Sequence, residues 1–289
     1  MALRAIAIMV VAMALLALSD AFIKLSGQRA PMGQIMFLLS TGGTLLFLAM
    51  ARMRGLTVWS KEFWHPMVVV RNGFEIIGAI GLIVGITHVP LSIFAAIMQV
   101  APLITILGAA LFLGEKVGWR RWAAVLVGLT GMLIVIRPLG ASFSGWELFA
   151  VMGVSGLAGR DLVTRLAPAH IPALTMSAWG FASTIPVGLG VYMFETMPLT
   201  AEPIALLHIL GAVLFTAFGY LAVTAAMRMA PVSIVAPFRY TRLLFTTSLG
   251  VMFFAERPDN YTLFGAALVL AAGIYSFLRE AQMARAVRA

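Results

Sequence analysis

The sequence predicts an all-α membrane protein of ten transmembrane helices arranged as two inverted five-helix repeats, and three observations lead there. The 289 residues are 62% hydrophobic and only 11% charged, with a mean hydropathy of +1.01, whereas a soluble domain carries about 25% charged residues. The apolar residues fall into ten runs, each near the roughly 20 residues a helix needs to cross the hydrocarbon core. Short echoes recur at a single offset of 141: Asp20, Lys24 and Pro31 return as Asp161, Arg165 and Pro172, Pro90 and Ser92 as Pro231 and Ser233, and Glu115 and Lys116 as Glu256 and Arg257. One shared offset implies two homologous halves, 1–140 and 141–289. Five spans per half is an odd number, so the second half enters the membrane from the opposite face and the repeats are inverted, an architecture that supports alternating access.

The first span, 4–25, follows Arg4 and ends on Ser19, Asp20 and Lys24. It is too long for a secretory signal core and lacks a small-residue cleavage site; its counterpart lies mid-chain, so it remains a helix. Spans two and three, 32–51 and 66–86, flank a loop bearing Arg52, Arg54 and Lys61. On span three, Gly73, Gly78, Gly81 and Gly85 permit close backbone approach to a neighbouring helix. Span four, 91–114, opens on Pro90 and Ser92 and closes on Gly114 and Glu115, and span five, 120–136, carries Gly128 and Gly131. A join at 138–146 leads into span six, 146–166, then span seven, 172–195, and span eight, 204–229. Span nine, 232–255, repeats the opening of span four and closes on Ala255 and Glu256, and span ten, 260–278, carries Gly265 and Gly273. The short connections leave no room for a soluble domain.

The net charge of +9 sets orientation. A cytoplasmic N-terminus places Arg4, Arg52, Arg54, Lys61, Lys116, Arg120, Arg121, Arg165, Arg228, Arg279, Arg285 and Arg288 inside, and only Lys24, Arg29, Arg137 and Arg257 outside. By the positive-inside rule both termini lie in the cytoplasm. The dispersal of these charges over short loops excludes a nucleic-acid-binding surface. With no cysteine the chain has no disulfide or thiolate chemistry. No Walker loop, HExxH or GxSxG string occurs, and His65, His88, His170 and His208 have no metal-ligand spacing, so neither cofactor, metal site nor enzyme active site is expected.

Taken together, Pro90, Ser92, Ala95 and Pro102, their echo at Pro231, Ser233, Ala236 and Pro237, the acidic closures Gly114-Glu115 and Ala255-Glu256, and the glycines of spans five and ten resemble the drug/metabolite transporter superfamily, in its ten-helix EamA-type branch. The resemblance covers essentially the whole chain. It implies a bacterial inner-membrane carrier that exports amino acids or related metabolites through a central cavity. Ala255 departs from the Gly-Glu closure of the first half.

Four arginines remain within spans: Arg71, Arg160, Arg239 and Arg242, accompanied by Glu75 and Asp161. A charge near the bilayer centre costs a few kcal/mol or more and must face a cavity or a partner. Arg71 and Glu75 are spaced i,i+4, and Arg239 and Arg242 i,i+3, each pair on one helix face. Guanidiniums converging on a carboxylate would bind an amino acid or organic acid. Alternatively, Arg71 with Glu75 and Arg160 with Asp161 are ion pairs that hold the cytoplasmic side shut. Arg239 and Arg242 are the stronger substrate candidates, since no acid lies within a turn of either.

Asp20 with Lys24 and Asp161 with Arg165 are matched i,i+4 pairs at opposite faces, read either as gates or as helix-end ion pairs. An aspartate that loses its partner on opening can take up a proton, which makes proton coupling an expectation of the gate reading. Gln99 and Tyr240 are equivalent at the offset of 141 and place hydrogen-bonding groups inside their spans, as cavity residues or as interhelical bonds. Asn72 and Trp179 complete the candidate substrate contacts. The expected partners are thus the lipid bilayer and a small carboxylate-bearing substrate. The alternatives are a cationic-drug exporter, which would want acids in excess where arginine outnumbers acid, and a lipid-modifying enzyme. Reporter fusions after residues 55, 118 and 289 are expected to read inside, and those after 90, 141 and 199 outside; reversal at two of these sites would end the ten-span topology.

Overall fold

The computed structural model describes residues 2–114, 118–140, 143–168, 170–230 and 232–286, among which no strand occurs. The helices are α1 (Ala2–Gly27), α2 (Met32–Met53), α3 (Pro66–His88), α4 (Leu91–Met98), α5 (Ala101–Phe112), α6 (Trp119–Ile136), α7 (Glu147–Thr164), α8 (Ala173–Tyr192), α9 (Pro203–Met229), α10 (Val232–Val235), α11 (Thr241–Phe254) and α12 (Asn260–Ala286), with 3-10 turns at Lys61–Trp64 and Ala236–Tyr240. Of the residues singled out above, Glu115, Lys116, Pro231 and Arg288 lie outside the described residues, as do the side chains of Arg228, Ser233, Ala236, Arg279 and Arg285.

Eight helical stretches among the described residues are long and apolar enough to cross a membrane, α4 and α5 counting as one. The other two predicted spans are helical as well. One is α7, which carries Glu147, Arg160 and Asp161; the other is divided into α10, a 3-10 turn and α11. Large apolar side chains such as Leu45, Leu126, Leu133, Leu207, Phe218 and Leu244 are exposed on these helices, as a surface solvated by hydrocarbon requires.

Prolines set several helix starts. Pro31, Pro90 and Pro172 stand at the N-caps of α2, α4 and α8, where a missing N–H and a fixed φ do no harm. None of these prolines offers a side-chain cap, and at α2 and α4 distant carboxylates supply it. Glu195 accepts the Met32 and Gly33 amides at 2.7 and 2.8 Å. Glu256 accepts the Leu91 amide, the Ser92 amide at 3.0 Å and the Ser92 hydroxyl at 2.9 Å. Ala255 precedes this carboxylate at φ 51, the left-handed conformation that Gly114 adopts at φ 65 at the matching closure. The departure from Gly-Glu therefore keeps the same backbone geometry.

Two compact units divide the chain, and they are not its two sequence halves. One comprises Ser19–His88 and Leu148–Ala217, the other Met1–Leu18, Val89–Glu147 and Phe218–Ala289. In the first unit α2 packs along α8, with the Thr184 hydroxyl donating to Ser40 Oγ at 2.7 Å and Gly43 lying against Phe181. Ser40 and Phe181, like Gly43 and Thr184, are 141 positions apart, so these two contacts exchange places under the sequence repeat. The same unit lays α3 on α7, Gly78 meeting Gly156, Gly81 meeting Gly153 and Gly85 meeting Ala150. Gly73 differs from the expectation for span three, since a Cβ there would enter open space. Ser19 of α1 hydrogen-bonds the Ala212 carbonyl at 3.1 Å and Thr216 Oγ1 at 2.6 Å.

In the second unit α6 packs along α12 and α4 along α11. Gly131 and Gly265 approach each other's carbonyls. Asp259 caps α12, accepting the Thr262 amide at 2.9 Å and hydroxyl at 2.7 Å, and pairs with Arg137 at 2.6 Å. The Thr262 hydrogen bonds, and secondarily the Arg137 guanidinium, hold the Asp259 carboxyl below its ordinary value. The stabilisation this gives is present above the ordinary carboxylate range and is lost as pH falls through the lowered value.

Two substitutions separate backbone strain from close packing. Ala255→Gly relieves a left-handed alanine and is expected to raise the thermal midpoint in detergent, by the equivalent of about 1 kcal/mol. Gly81→Val, which drives a branched side chain into the Gly153 backbone, is expected to prevent accumulation of folded protein. Unchanged melting of both variants would refute both assignments.

Candidate functional site

Within the first unit, α3 and α7 gather the charges of two spans into one cluster against α8. Arg71 and Glu75 stand one turn apart on α3 and pair at 2.8 Å, with side chains 7% and 13% exposed. Arg160 of α7 reaches the other Glu75 oxygen at 3.1 Å. Its Nε and Nη2 both donate to a single oxygen of Asp161, at 2.9 and 2.8 Å. Arg71 also donates to Asn72 Oδ1 at 2.9 Å and to the Met176 carbonyl of α8 at 3.2 Å. The four formal charges sum to zero, which is how a low-dielectric interior tolerates them.

Gly180 of α8 forms the floor of this cluster: a Cβ there would come within 2.9 Å of Glu75 Oε2 and would meet Arg71 Nη1. Sequence reasoning missed this residue, and no local signal marked it, because its partners lie more than a hundred positions away. Trp179, expected among the substrate contacts, is committed to packing. Its indole N–H donates to the Val58 carbonyl at 2.9 Å, and its ring sits among Val68, Ile171, Met176 and Phe63. Its polar atom is thus satisfied within the protein, and 6% of its surface is exposed.

The second unit holds the other candidates at two interrupted helices. Between α4 and α5 the chain breaks at Gln99 and Val100, before Pro102 in the first turn of α5. Between α10 and α11 it tightens into the 3-10 turn Ala236–Tyr240, which contains Pro237. Each proline lacks the N–H that would continue the ladder. Gln99 and Tyr240 thus stand at matched interruptions, and Gln99 Nε2 donates to the Tyr240 carbonyl at 3.3 Å. The buried Tyr240 ring lies across Gly273 of α12, where any Cβ would collide with the phenol. Arg239 is exposed on the 3-10 turn and Arg242 half-buried in the first turn of α11, a turn that contains no acid. Arg239, in the preceding 3-10 turn, and Arg242 thus stand at the N-terminal end of the 14-residue α11, the end of a helix at which its dipole favours an anion.

The matched acid-base pairs are placed differently from each other. Asp20 is buried in α1 with Lys24 half-buried one turn on. Asp161 is engaged by its neighbour Arg160, and Arg165 lies just past the end of α7, exposed. Among the described residues no group of three or more His, Asp or Glu side chains is placed to hold a metal ion.

Comparison with known proteins agrees with this architecture. The family description "EamA-like transporter family" matches residues 3–137 and again 144–278. The chain is 28% identical over 263 residues to the pseudopaline exporter CntI of Pseudomonas aeruginosa, covering 88% of this chain and 89% of that one. It is 29% identical over 214 residues to a riboflavin transporter of Rhizobium johnstonii, covering 73% and 70%. It is 25% identical over 225 residues to an S-adenosylmethionine uptake transporter of Rickettsia bellii, covering 76% and 74%. A solved crystal structure matches with a TM-score of 0.63 at 16% identity, covering 97% of this chain and 98% of its own, a likeness of fold alone.

The charge cluster makes a stability prediction independent of transport. Arg71→Met leaves Glu75 short of a partner and is expected to destabilise the protein by about 3 kcal/mol or more, whereas Arg71→Met with Glu75→Met should be close to neutral. Thermal unfolding in detergent distinguishes the two; equal losses would show that the charges are not coupled.

Proposed function

The chain belongs to the EamA-like transporter family, and from that premise we propose that it exports small carboxylate-bearing metabolites, amino acids or their relatives, across the bacterial inner membrane by alternating access. Its membrane nature and its role as a transporter of small molecules rather than an enzyme follow from the family and from the relatives, which carry pseudopaline, riboflavin and S-adenosylmethionine. Those relatives include both exporters and uptake carriers, so outward flux and the carboxylate preference are our reading.

The observation that carries the carboxylate preference is the interrupted helix at Tyr240, with Arg239 and Arg242 at the positive end of α11. Carriers commonly place substrate at helix interruptions, where half-helix N-termini meet anionic groups. The matched interruption at Gln99, joined to Tyr240 by a hydrogen bond, supports a substrate position served by both repeats. A two-fold relation between the repeats draws support from contacts such as Ser40 with Thr184 and Gly43 with Phe181, because such a relation requires that i meet j and j meet i; that the repeats are inverted rests on the odd number of spans in each half. In this reading the Arg71, Glu75, Arg160 and Asp161 cluster closes the cytoplasmic side, and Asp20 with Lys24 acts at the outer one. Cytoplasmic termini rest on the distribution of lysine and arginine.

Counterflow in proteoliposomes across amino acids, dicarboxylates and quaternary amines is the direct test. Carboxylates are expected to exchange and quaternary amines not. Arg242→Lys, which loses the planar fork, is expected to weaken exchange about tenfold, and Arg239→Ala or Arg242→Ala to weaken it further, at about 1.5 to 3 kcal/mol per lost charge-assisted contact. Undiminished exchange in both alanine variants would remove this pair from the site, and exchange of amines alone would favour a cationic-drug exporter.

A further inference from the structure

We propose that Glu75 occupies a carboxylate seat which the substrate's own carboxylate takes over during transport, so that the buried cluster is a second substrate site closed by a built-in surrogate. The proposal rests on the carboxylate reading above and names what opens the cytoplasmic closure.

Three features of the cluster converge on this. First, guanidiniums from two different helices, Arg71 on α3 and Arg160 on α7, grip opposite oxygens of one carboxylate. That is the arrangement with which a protein binds a carboxylate ligand, and here the ligand is tethered to the chain. Second, exposure rises along the cluster, from 7% at Arg71 and 13% at Glu75 to 27% at Arg160 and 46% at Asp161. The seat is therefore reached from its Asp161 end. Third, the most accessible guanidinium is imperfectly matched. The Nε and Nη2 edge of Arg160 converges on one Asp161 oxygen, whereas an untethered carboxylate can meet such an edge with both oxygens. Gly180 keeps the floor of the seat flat by presenting backbone alone to Glu75 and Arg71.

The exchange is one of ion pairs and involves no covalent step. An incoming carboxylate aligns with Arg160, displaces Asp161 into water at the exposed end, and then competes with Glu75 for the two guanidiniums. Asp161 pairs again with Arg160 once the substrate is seated, so that only Glu75 is replaced, one carboxylate for another, and the two guanidiniums stay balanced. The surrogate also lowers apparent affinity, since substrate binds only to the fraction of molecules from which Glu75 has withdrawn. Contact between α3 and α7 through this carboxylate is thereby lost only when a carboxylate is present to replace it, which ties opening to loading.

Chemical rescue tests the seat without knowledge of the natural substrate. Glu75→Ala and Glu75→Gln are purified in detergent beside the wild type and titrated with sodium acetate, with sodium chloride as the control. Acetate is expected to raise the thermal midpoint of the variants saturably, by several degrees beyond chloride, and to leave the wild type unmoved. In proteoliposomes, Glu75→Gln is expected to lower the KM for whichever carboxylate the wild type exchanges best by severalfold, because its internal competitor is gone. Acetate no more effective than chloride in both variants, or a KM for Glu75→Gln equal to or above the wild type, would overturn the proposal and leave Glu75 a structural pin. Failure of the wild type to exchange any carboxylate would instead strike the functional reading, whatever acetate does to the variants.

Discussion

Hydrocarbon cannot hydrogen-bond, and every distinctive feature of this chain answers that constraint. Helices satisfy their own backbone except at their ends and interruptions, and there the chain recruits partners from far along the sequence. Glu195 reaches the start of α2, some 160 positions away, and Glu256 the start of α4 over a similar distance. The same constraint brings Arg71, Glu75, Arg160 and Asp161 into one neutral cluster, since four isolated charges would each cost several kcal/mol and their sum costs far less.

Apolar burial does not drive helix association in lipid as it does in water, so contact has to be made by shape. Glycines therefore line the α3 and α7 seam and the α6 and α12 seam, letting backbones touch. Such seams hold helices close without interlocking large side chains, which leaves relative sliding open to a carrier. At Gly180 and Gly273 the missing Cβ does a different job: it makes room for a polar group, the Glu75 carboxylate in one unit and the Tyr240 phenol in the other. The two uses are distinguishable by what fills the space, backbone in the first and a functional side chain in the second.

Most of the helical architecture was legible because each span is fixed by local composition, and helix ends fell within a few residues of the apolar runs except at the tenth, where α12 continues past 278 to Ala286. Spans four and nine read as unbroken helices, and the interruptions beside Pro102 and Pro237 emerge only in the structure; the repeat was read from its constant offset. Legibility failed where a role depends on a distant partner. Glu256 was visible as the acid closing span nine, but its work is to cap α4, and nothing near Glu195 names α2. Trp179 was read as a substrate contact, and nothing local in the sequence shows that its indole N–H is met by the Val58 carbonyl 121 positions away. Gly73 shares its helix with three packing glycines yet faces open space, since helical spacing places it off their face. The compact units, too, cut across the repeats, because a helix chooses neighbours by surface and not by sequence order.

The separation of charge between the two units bears on how one family serves both exporters and uptake carriers. The Arg71, Glu75, Arg160 and Asp161 cluster is neutral as a whole, whereas the proposed anion site places Arg239 and Arg242 at the interruption before α11. The two groups of charges thus stand on different helices, α3 and α7 for one and the segment opening α11 for the other. On the proposed function, a change in cargo calls for new groups at the interruption, and a change in the balance between closed states for a stronger or weaker ion pair. Net direction then follows from the gradients acting on the cargo and any coupled ion, which the fold leaves unspecified. On that proposal, relatives about one quarter identical to this chain that carry riboflavin or S-adenosylmethionine are expected to differ from it at the interruption before α11 more than along the glycine seams.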